Sequence, residues 1–519
     1  MNIFDRTFHP DEANQAFTTG HLLETGTYRY NPQDHHGPTL YYAAATLQKV
    51  AGHDSTATLD PALLRCTPLL FAVLALVLGC LAVRKLTGRL WLGLLFAFLL
   101  GTSPIFMFFA TDFIQEMLLA SFTMMMLWTG TNYLLYIKPS TPQATNHANT
   151  LNANARTLKR PTWALLFGIA TGLAFATKET AGLTFAAIGI SAFVLRITQR
   201  RTPSSNGHLL PAALAFAGFL LTATLLYSSF GDNWRGVFNA FIAAPLAYLH
   251  RAVGDAASQG ATAHIHPWWQ YFKWLFAPAL CPFSEWLLLV PIAVASCCNA
   301  FKSRRLLFAA TYTGALTALY SAIPYKTPWC ALQIAVALAI TASLSIGHLL
   351  AHAQRHVGPV RRLCERATVI FFVLLVFLWH GCGMTIINRQ PDSKKIPYNY
   401  ASASPQARDL ASLIIEKLSS PPPQPPATRL PAQASDLFAA IALPPEDTWP
   451  LPFYLRSAND KIGYWASLDE LEALAGLGRK PTVVVVSAEE GHLVQPLFPH
   501  LKNTKRFEMR PHVRVRAFW

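Results

Sequence analysis

Ten apolar runs of sixteen or more residues, at 63–83, 90–110, 116–137, 162–177, 180–197, 210–230, 281–299, 306–323, 328–350 and 367–387, govern what this chain can fold into. A helix needs about 20 apolar residues to cross a bilayer, and backbone polar groups in lipid must be satisfied within the spanning element itself. Charged residues make up 13% of the 519 positions and the mean hydropathy is +0.29. Soluble domains carry about 25% charged residues. A soluble enzyme, a disordered chain and a fibrous repeat are excluded, and the expected fold is an α-helical polytopic membrane protein with about ten visible spans.

The formal net charge of +15 follows the same pattern. Sixteen of the 42 lysines and arginines lie in five short segments, 84–89, 138–161, 198–209, 300–305 and 351–366. The alternate segments 111–115, 178–179, 231–280 and 324–327 together hold five. Basic loops stay on the cytoplasmic side of a membrane. The charge therefore reports topology and no nucleic-acid partner, and both visible ends of the chain are placed outside the cytoplasm. None of the eight cysteines falls in 1–60 or after 382, so neither a disulfide framework nor a CxxC metal site is implied.

Three pieces lie outside the apolar bundle of 63–387. Residues 1–62 form a first extracytoplasmic loop. Residues 231–280 form a second, whose tryptophans and phenylalanines suit helices lying in the membrane interface. Residues 388–519 form a small extracytoplasmic α/β domain entered through the proline-rich stretch 420–426. Within it 467–477 (SLDELEALAGL) predicts a helix, 482–486 (TVVVV) a buried strand and 513–518 (VRVRAF) a half-exposed strand.

Carboxylates gather where the apolar runs end on the outer side: Asp11 and Glu12, then Asp112 and Glu116, then Glu179 beside Lys178. On a helix Asp112 and Glu116 would share one face. Carboxylates at the membrane edge are costly and mark function by default, although each could simply terminate a span. Carboxylates from separate loops can hold a divalent cation such as Mg or Mn, and one can take a proton from an acceptor hydroxyl. A lysine can neutralise a phosphate leaving group. The same residues would also suit a cation-coupled transporter, but its carboxylates belong at mid-membrane rather than at loop ends. His35 and His36 could be metal ligands or could hydrogen-bond a sugar or phosphate, and Lys326, beside Tyr325, suits a lipid phosphate. The block 449–456 (WPLPFYLR) could line an acceptor site or dock the C-terminal domain.

Several blocks in order, Asp11-Glu12-Ala13, 26–32 (GTYRYNP), 36–42 (HGPTLYY), Ser103-Pro104 leading to Glu116, 176–180 (ATKET), 325–329 (YKTPW) and 449–456, resemble the GT-C membrane glycosyltransferases. These include the protein O-mannosyltransferases and the lipid A aminoarabinose transferase, and the likeness is nearest to the flippase activity-associated protein family. The resemblance implies a polyprenyl-phosphate-sugar donor, inverting transfer to a glycan, lipid or protein acceptor, and a site facing away from the cytoplasm of the inner membrane. It places the base or metal ligand on Asp11, with Glu12 beside it, and the second acidic position on Glu116. It places substrate contacts at His35, His36, Lys178, Glu179, Tyr325 and Lys326. The alternative is a non-catalytic transporter or flippase-associated protein in glycan export. Relatives begin with one span just before the Asp-Glu pair, so a missing first span upstream of Asp11 is also expected.

Overall fold

A computed structural model of the chain describes residues 6–33, 36–135, 147–198, 209–253, 264–276, 282–298, 303–356, 359–389, 396–399, 402–419, 437–476 and 479–519. The protein divides into two compact units. One comprises 27–44 and 65–389, and the other 1–26, 45–64 and 390–519.

The first unit is helical, as the apolar runs require. It contains most of α3 (Pro61–Thr87), α4 (Leu90–Gly101), α5 (Pro104–Phe109), α6 (Glu116–Leu135), α7 (His147–Phe175), α8 (Ala181–Thr198) and α9 (Leu209–Tyr227). The later helices Leu289–Cys297, Arg304–Ala322, Ala331–His356 and Pro359–Arg389 complete it. Five described helical stretches are long and apolar enough to cross a membrane: Pro61–Thr87, Ala181–Thr198, Leu209–Tyr227, Pro328–Ala351 and Arg366–Arg389. The chain is a multi-pass membrane protein.

Two expected spans are interrupted. The run 90–110 breaks at Ser103, whose Oγ accepts from Phe106 N and caps α5, with Pro104 fitting the first helical position. The run 281–299 becomes helical only from Trp286 onward. Burial sorts the helices further. Over 18 residues of each, the stretch Pro328–Ala351 is 78% buried and central, whereas Leu209–Tyr227 is 17% buried. The central helix accordingly carries hydroxyls inward, and Thr341 Oγ1 meets Thr313 Oγ1 at 2.8 Å.

The second unit is built on a five-stranded sheet, β1 (Ala439–Ala442), β2 (Ile462–Trp465), β3 (Val483–Ser487), β4 (Thr504–Arg510) and β5 (Val513–Phe518), in the order β2-β1-β3-β5-β4. β1 runs parallel to β2 and β3, while β5 is antiparallel to β3 and β4. Both faces are covered, which is why β3 is an unbroken valine run. Val483 and Val485 pack with Leu410 and Ile414 of the helix Pro405–Ser419. Val484 and Val486 face Leu468 and Leu471 of the helix Leu468–Gly476.

The N-terminal helix α1 (Pro10–Thr25) belongs to this unit, as do residues 45–50 of α2 (Thr39–Val50). Phe8 stacks on Phe453 with centroids 4.3 Å apart, and Phe17 meets Trp449 edge-on at 5.6 Å. Phe8 N donates to Tyr454 Oη at 2.8 Å, and Arg456 Nη2 donates to Leu59 O at 2.7 Å. The 449–456 block thus packs the N-terminal segments onto the α/β domain.

Candidate active site

The turn between α7 and α8 carries adjacent opposite charges, Lys178 and Glu179. Ala181 N donates to Lys178 O at 3.0 Å, so the turn is tight. The block 36–39 is clamped against it: Thr39 N donates to Ala176 O at 3.2 Å, and the Thr39 and Thr177 hydroxyls are 2.8 Å apart. A Cβ at Gly37 would lie 2.2 Å from the Ala176 oxygen, so only glycine permits this approach.

The clamp brings His36 to Glu179. His36 Nδ1 lies 2.8 Å from Glu179 Oε2, and Tyr30 Oη donates to Oε1 at 2.6 Å. Tyr30 is itself anchored by Asn239, whose Nδ2 donates to its carbonyl at 3.0 Å. Burial pushes the Glu179 carboxyl up, but the His36 charge and the hydrogen bonds from His36 and Tyr30 outweigh it and hold the group at about 2. Burial and the Glu179 charge raise the Tyr30 hydroxyl, so it stays a donor.

A depressed folded pKa stabilises the native state fully above the unfolded value, about 4.5, and that contribution is lost as pH falls toward about 2. It amounts to roughly 3 kcal/mol. Glu179→Gln is therefore expected to flatten the stability profile between those values, measured by unfolding in nanodiscs. An unchanged slope would contradict this arrangement.

Lys178 points to the other side of the turn and pairs with Glu116, the first residue of α6. Glu116 is fully buried, and Gln333 Nε2 donates to its backbone O at 3.0 Å and to Oε2 at 3.4 Å. Cys330 Sγ approaches Oε1 at 3.7 Å, and the Lys178 ammonium sits 5.9 Å from the Trp329 ring centre. Burial lowers the Lys178 ammonium, but the Glu116 charge overcomes this and keeps it protonated. Asp112 does not share a helical face with Glu116, because α6 begins at Glu116 and 110–115 form turns.

Lys326 is buried in the loop 323–327 and donates to the Ile323 carbonyl and, at 3.3 Å, to His266 O. Tyr325 pairs with Ile265 in an antiparallel bridge and packs its ring 4.9 Å from that of His264. Burial lowers the Lys326 ammonium.

Asp11 and Glu12 stand in the other unit and differ sharply. Glu12 is buried and closes a capping box, with its Oε2 accepting from His9 N at 3.0 Å. The Asp11 side chain is 47% exposed, with Oδ2 3.9 Å from His9 Nδ1. His35 lies outside the described residues.

Comparison with solved structures gives the fold. The chain superposes on ArnT from Cupriavidus metallidurans bound to undecaprenyl phosphate with a TM-score of 0.64 and 14% identity, over 99% of this chain and 94% of that one. It has a GT-C fold. The archaeal oligosaccharyltransferase AglB from Archaeoglobus fulgidus, in complex with an inhibitory peptide and a dolichol-phosphate, aligns with a TM-score of 0.55 and 12% identity, over 93% and 66% of the two chains. The same protein in complex with Zn and sulfate aligns at 0.52 and 13%, over 93% and 64%. No family model and no curated protein matches the chain.

Within this GT-C fold the described residues contain no cluster of three or more His, Cys, Asp or Glu able to hold a metal ion. Glu116 already receives Lys178 and Gln333, so a cation held there would displace the lysine. Sequence reasoning passed over Gln333 and Cys330, although a glutamine inside the apolar run 328–350 was a visible signal.

Proposed function

We propose that the chain is a membrane glycosyltransferase that moves a sugar from a polyprenyl-phosphate donor to a glycan, lipid or protein acceptor at the extracytoplasmic face of the inner membrane, with inversion. The observation that carries this reading is the buried charged turn Lys178-Glu179, clamped to Glu116 on one side and to His36 and Tyr30 on the other. Apolar packing alone gives no reason to bury these groups together. The shared fold with ArnT bound to undecaprenyl phosphate supports the donor class.

The chemistry follows from the charges. When the bond from sugar C1 to the phosphate oxygen breaks, negative charge grows on the leaving phosphate, and a protonated Lys178 favours it. The acceptor hydroxyl must lose its proton as it attacks C1 from the opposite face, and the role of base is assigned to Asp11 on the family resemblance alone. Glu179, held anionic, with Tyr30 and His36, offers acceptors and donors for the sugar hydroxyls.

Donor-lipid recognition is tested by thermal unfolding with added undecaprenyl phosphate or undecaprenol. At about 100 times Kd the phosphate lipid should stabilise the protein by about 2.7 kcal/mol. Undecaprenol, lacking the phosphate, should do far less. Equal shifts with both lipids would remove phosphate recognition from the proposal.

A further inference from the structure

A second buried polar cluster lies in the helical unit, and the chemistry above does not use it. Glu285 precedes the short helical turn Trp286–Leu288, and His380 stands within the helix Pro359–Arg389. Both are fully buried, and Glu285 Oε2 lies 3.4 Å from His380 Nε2. Thr102 and Ser103, at the α4–α5 junction, complete the group. Ser103 Oγ donates to Glu285 Oε1 at 2.6 Å, and Thr102 Oγ1 lies 3.2 Å from His380 Nδ1.

The hydrogen bonds assign the protons. The Thr102 hydroxyl donates to Phe98 O at 2.8 Å, so towards His380 it can only accept. His380 Nδ1 therefore carries a hydrogen, and Nε2 of the neutral ring is left as an acceptor. Ser103 spends its hydrogen on Oε1, and the Ile105 amide also donates to this carboxyl. Oε2 then faces a lone pair and needs a proton of its own. An ionised pair would place two charges in a site closed to water, where a neutral hydrogen bond avoids the desolvation penalty. The neighbouring groups are the Thr102 and Ser103 hydroxyls, the Ile105 amide, and the segment whose Glu285 N and Ser284 Oγ donate to Leu275 O.

We propose that Glu285 is a positioning residue that carries its proton on Oε2 towards neutral His380 and, through Ser103, fixes the segment that delivers Glu116 to the active site. Ser103 Oγ is at once the donor to Glu285 and the N-cap of α5, accepting from Phe106 N at 3.4 Å. From α5 a buried, hydrogen-bonded path continues: Ala110 N to Phe106 O at 2.9 Å, Asp112 N to Phe109 O at 3.3 Å, and Ile114 N to Asp112 O at 2.7 Å. That path ends at Glu116, whose pairing with Lys178 depends on where α6 begins. The catalytic consequence rests on the glycosyltransferase reading, whereas the proton and the latch do not.

Infrared difference spectra of the full chain in nanodiscs, titrated from about pH 4 to about pH 9, test the proton. The protein should show a protonated-carboxyl stretch at neutral pH that disappears in Glu285→Gln and shifts in His380→Gln. Hydrogen exchange over 104–116 tests the latch. Glu285→Ala and Ser103→Ala should speed exchange by up to about tenfold, the equivalent of one lost hydrogen bond. Glu285→Gln, which keeps an acceptor for Ser103, should restore near-normal exchange. In a turnover assay Glu285→Ala should lower kcat with KM unchanged, and Glu285→Gln should recover most of it.

Identical carboxyl spectra for the native protein and Glu285→Gln, or normal exchange in Glu285→Ala, would overturn the proposal. Should the Glu285 variants fail to fold, His380→Gln and Ser103→Ala decide it alone by a shifted band and faster exchange. A native protein without turnover would defeat the glycosyltransferase reading but leave the spectra and exchange data interpretable.

Discussion

Lys178→Met is expected to destabilise the protein by about 3–5 kcal/mol, because it strips the partner from a buried carboxylate. Glu116 is fully buried and Lys178 is 5% exposed, so water cannot replace the missing ammonium. Gln333 offers Glu116 hydrogen bonds but no charge. The same change removes the cation proposed to meet the leaving phosphate, which should reduce turnover by about 10²–10³-fold. The two effects separate in the double variant Lys178→Met/Glu116→Gln. Replacing the carboxylate by an amide abolishes the unpaired charge, so most of the stability should return while turnover stays low. Unfolding in detergent and single-turnover kinetics read the two quantities. A single variant as stable as the native protein would show that the pair is not the buried charge clamp described above.

Asp11→Asn is expected to lower kcat by about 10²–10⁴-fold while leaving folding and donor-lipid binding nearly intact. Asparagine keeps the shape of the side chain and loses its basicity. The change sits in the first turn of α1, where a lost negative charge costs about 0.3–1 kcal/mol. Glu12→Gln is the control. Its amide oxygen can still accept from His9 N and close the capping box, so turnover should stay near normal. Near-native kcat in Asp11→Asn, or an equal loss in Glu12→Gln, would remove Asp11 from the role of base.

The division between what could and could not be read beforehand has a physical basis. Apolar runs report helices because lipid-facing and core-facing residues are alike hydrophobic, and each of the ten runs is helical over most of its described residues. The valine run at β3 and the alternating stretch at β5 were legible for the same local reason. β1, an Ala-rich strand of four residues, carries no such signal and acquires its state from pairing with β2 and β3. The HGP and Lys178-Glu179 blocks, which the resemblance singles out, lie against one another in the structure. The pairings themselves, His36 with Glu179 and Lys178 with Glu116, join positions 143 and 62 residues apart, and no local pattern encodes such contacts. Asp112 was misjudged because i,i+4 reasoning presumes a helix that begins only at Glu116. Glu285 was passed over, although a carboxylate inside an apolar run is an anomaly that a composition-based reading should notice.

The central claim is that this GT-C fold transfers a sugar from a polyprenyl phosphate. Purified protein in lipid nanodiscs, incubated with radiolabelled polyprenyl-phosphate sugars and a membrane extract as acceptor source, measures it directly. The account predicts time-dependent release of free polyprenyl phosphate with label moving into acceptor material, and neither in Asp11→Asn. Tight binding of the donor lipid with no release from any sugar tested, under conditions where the protein is folded, would contradict it.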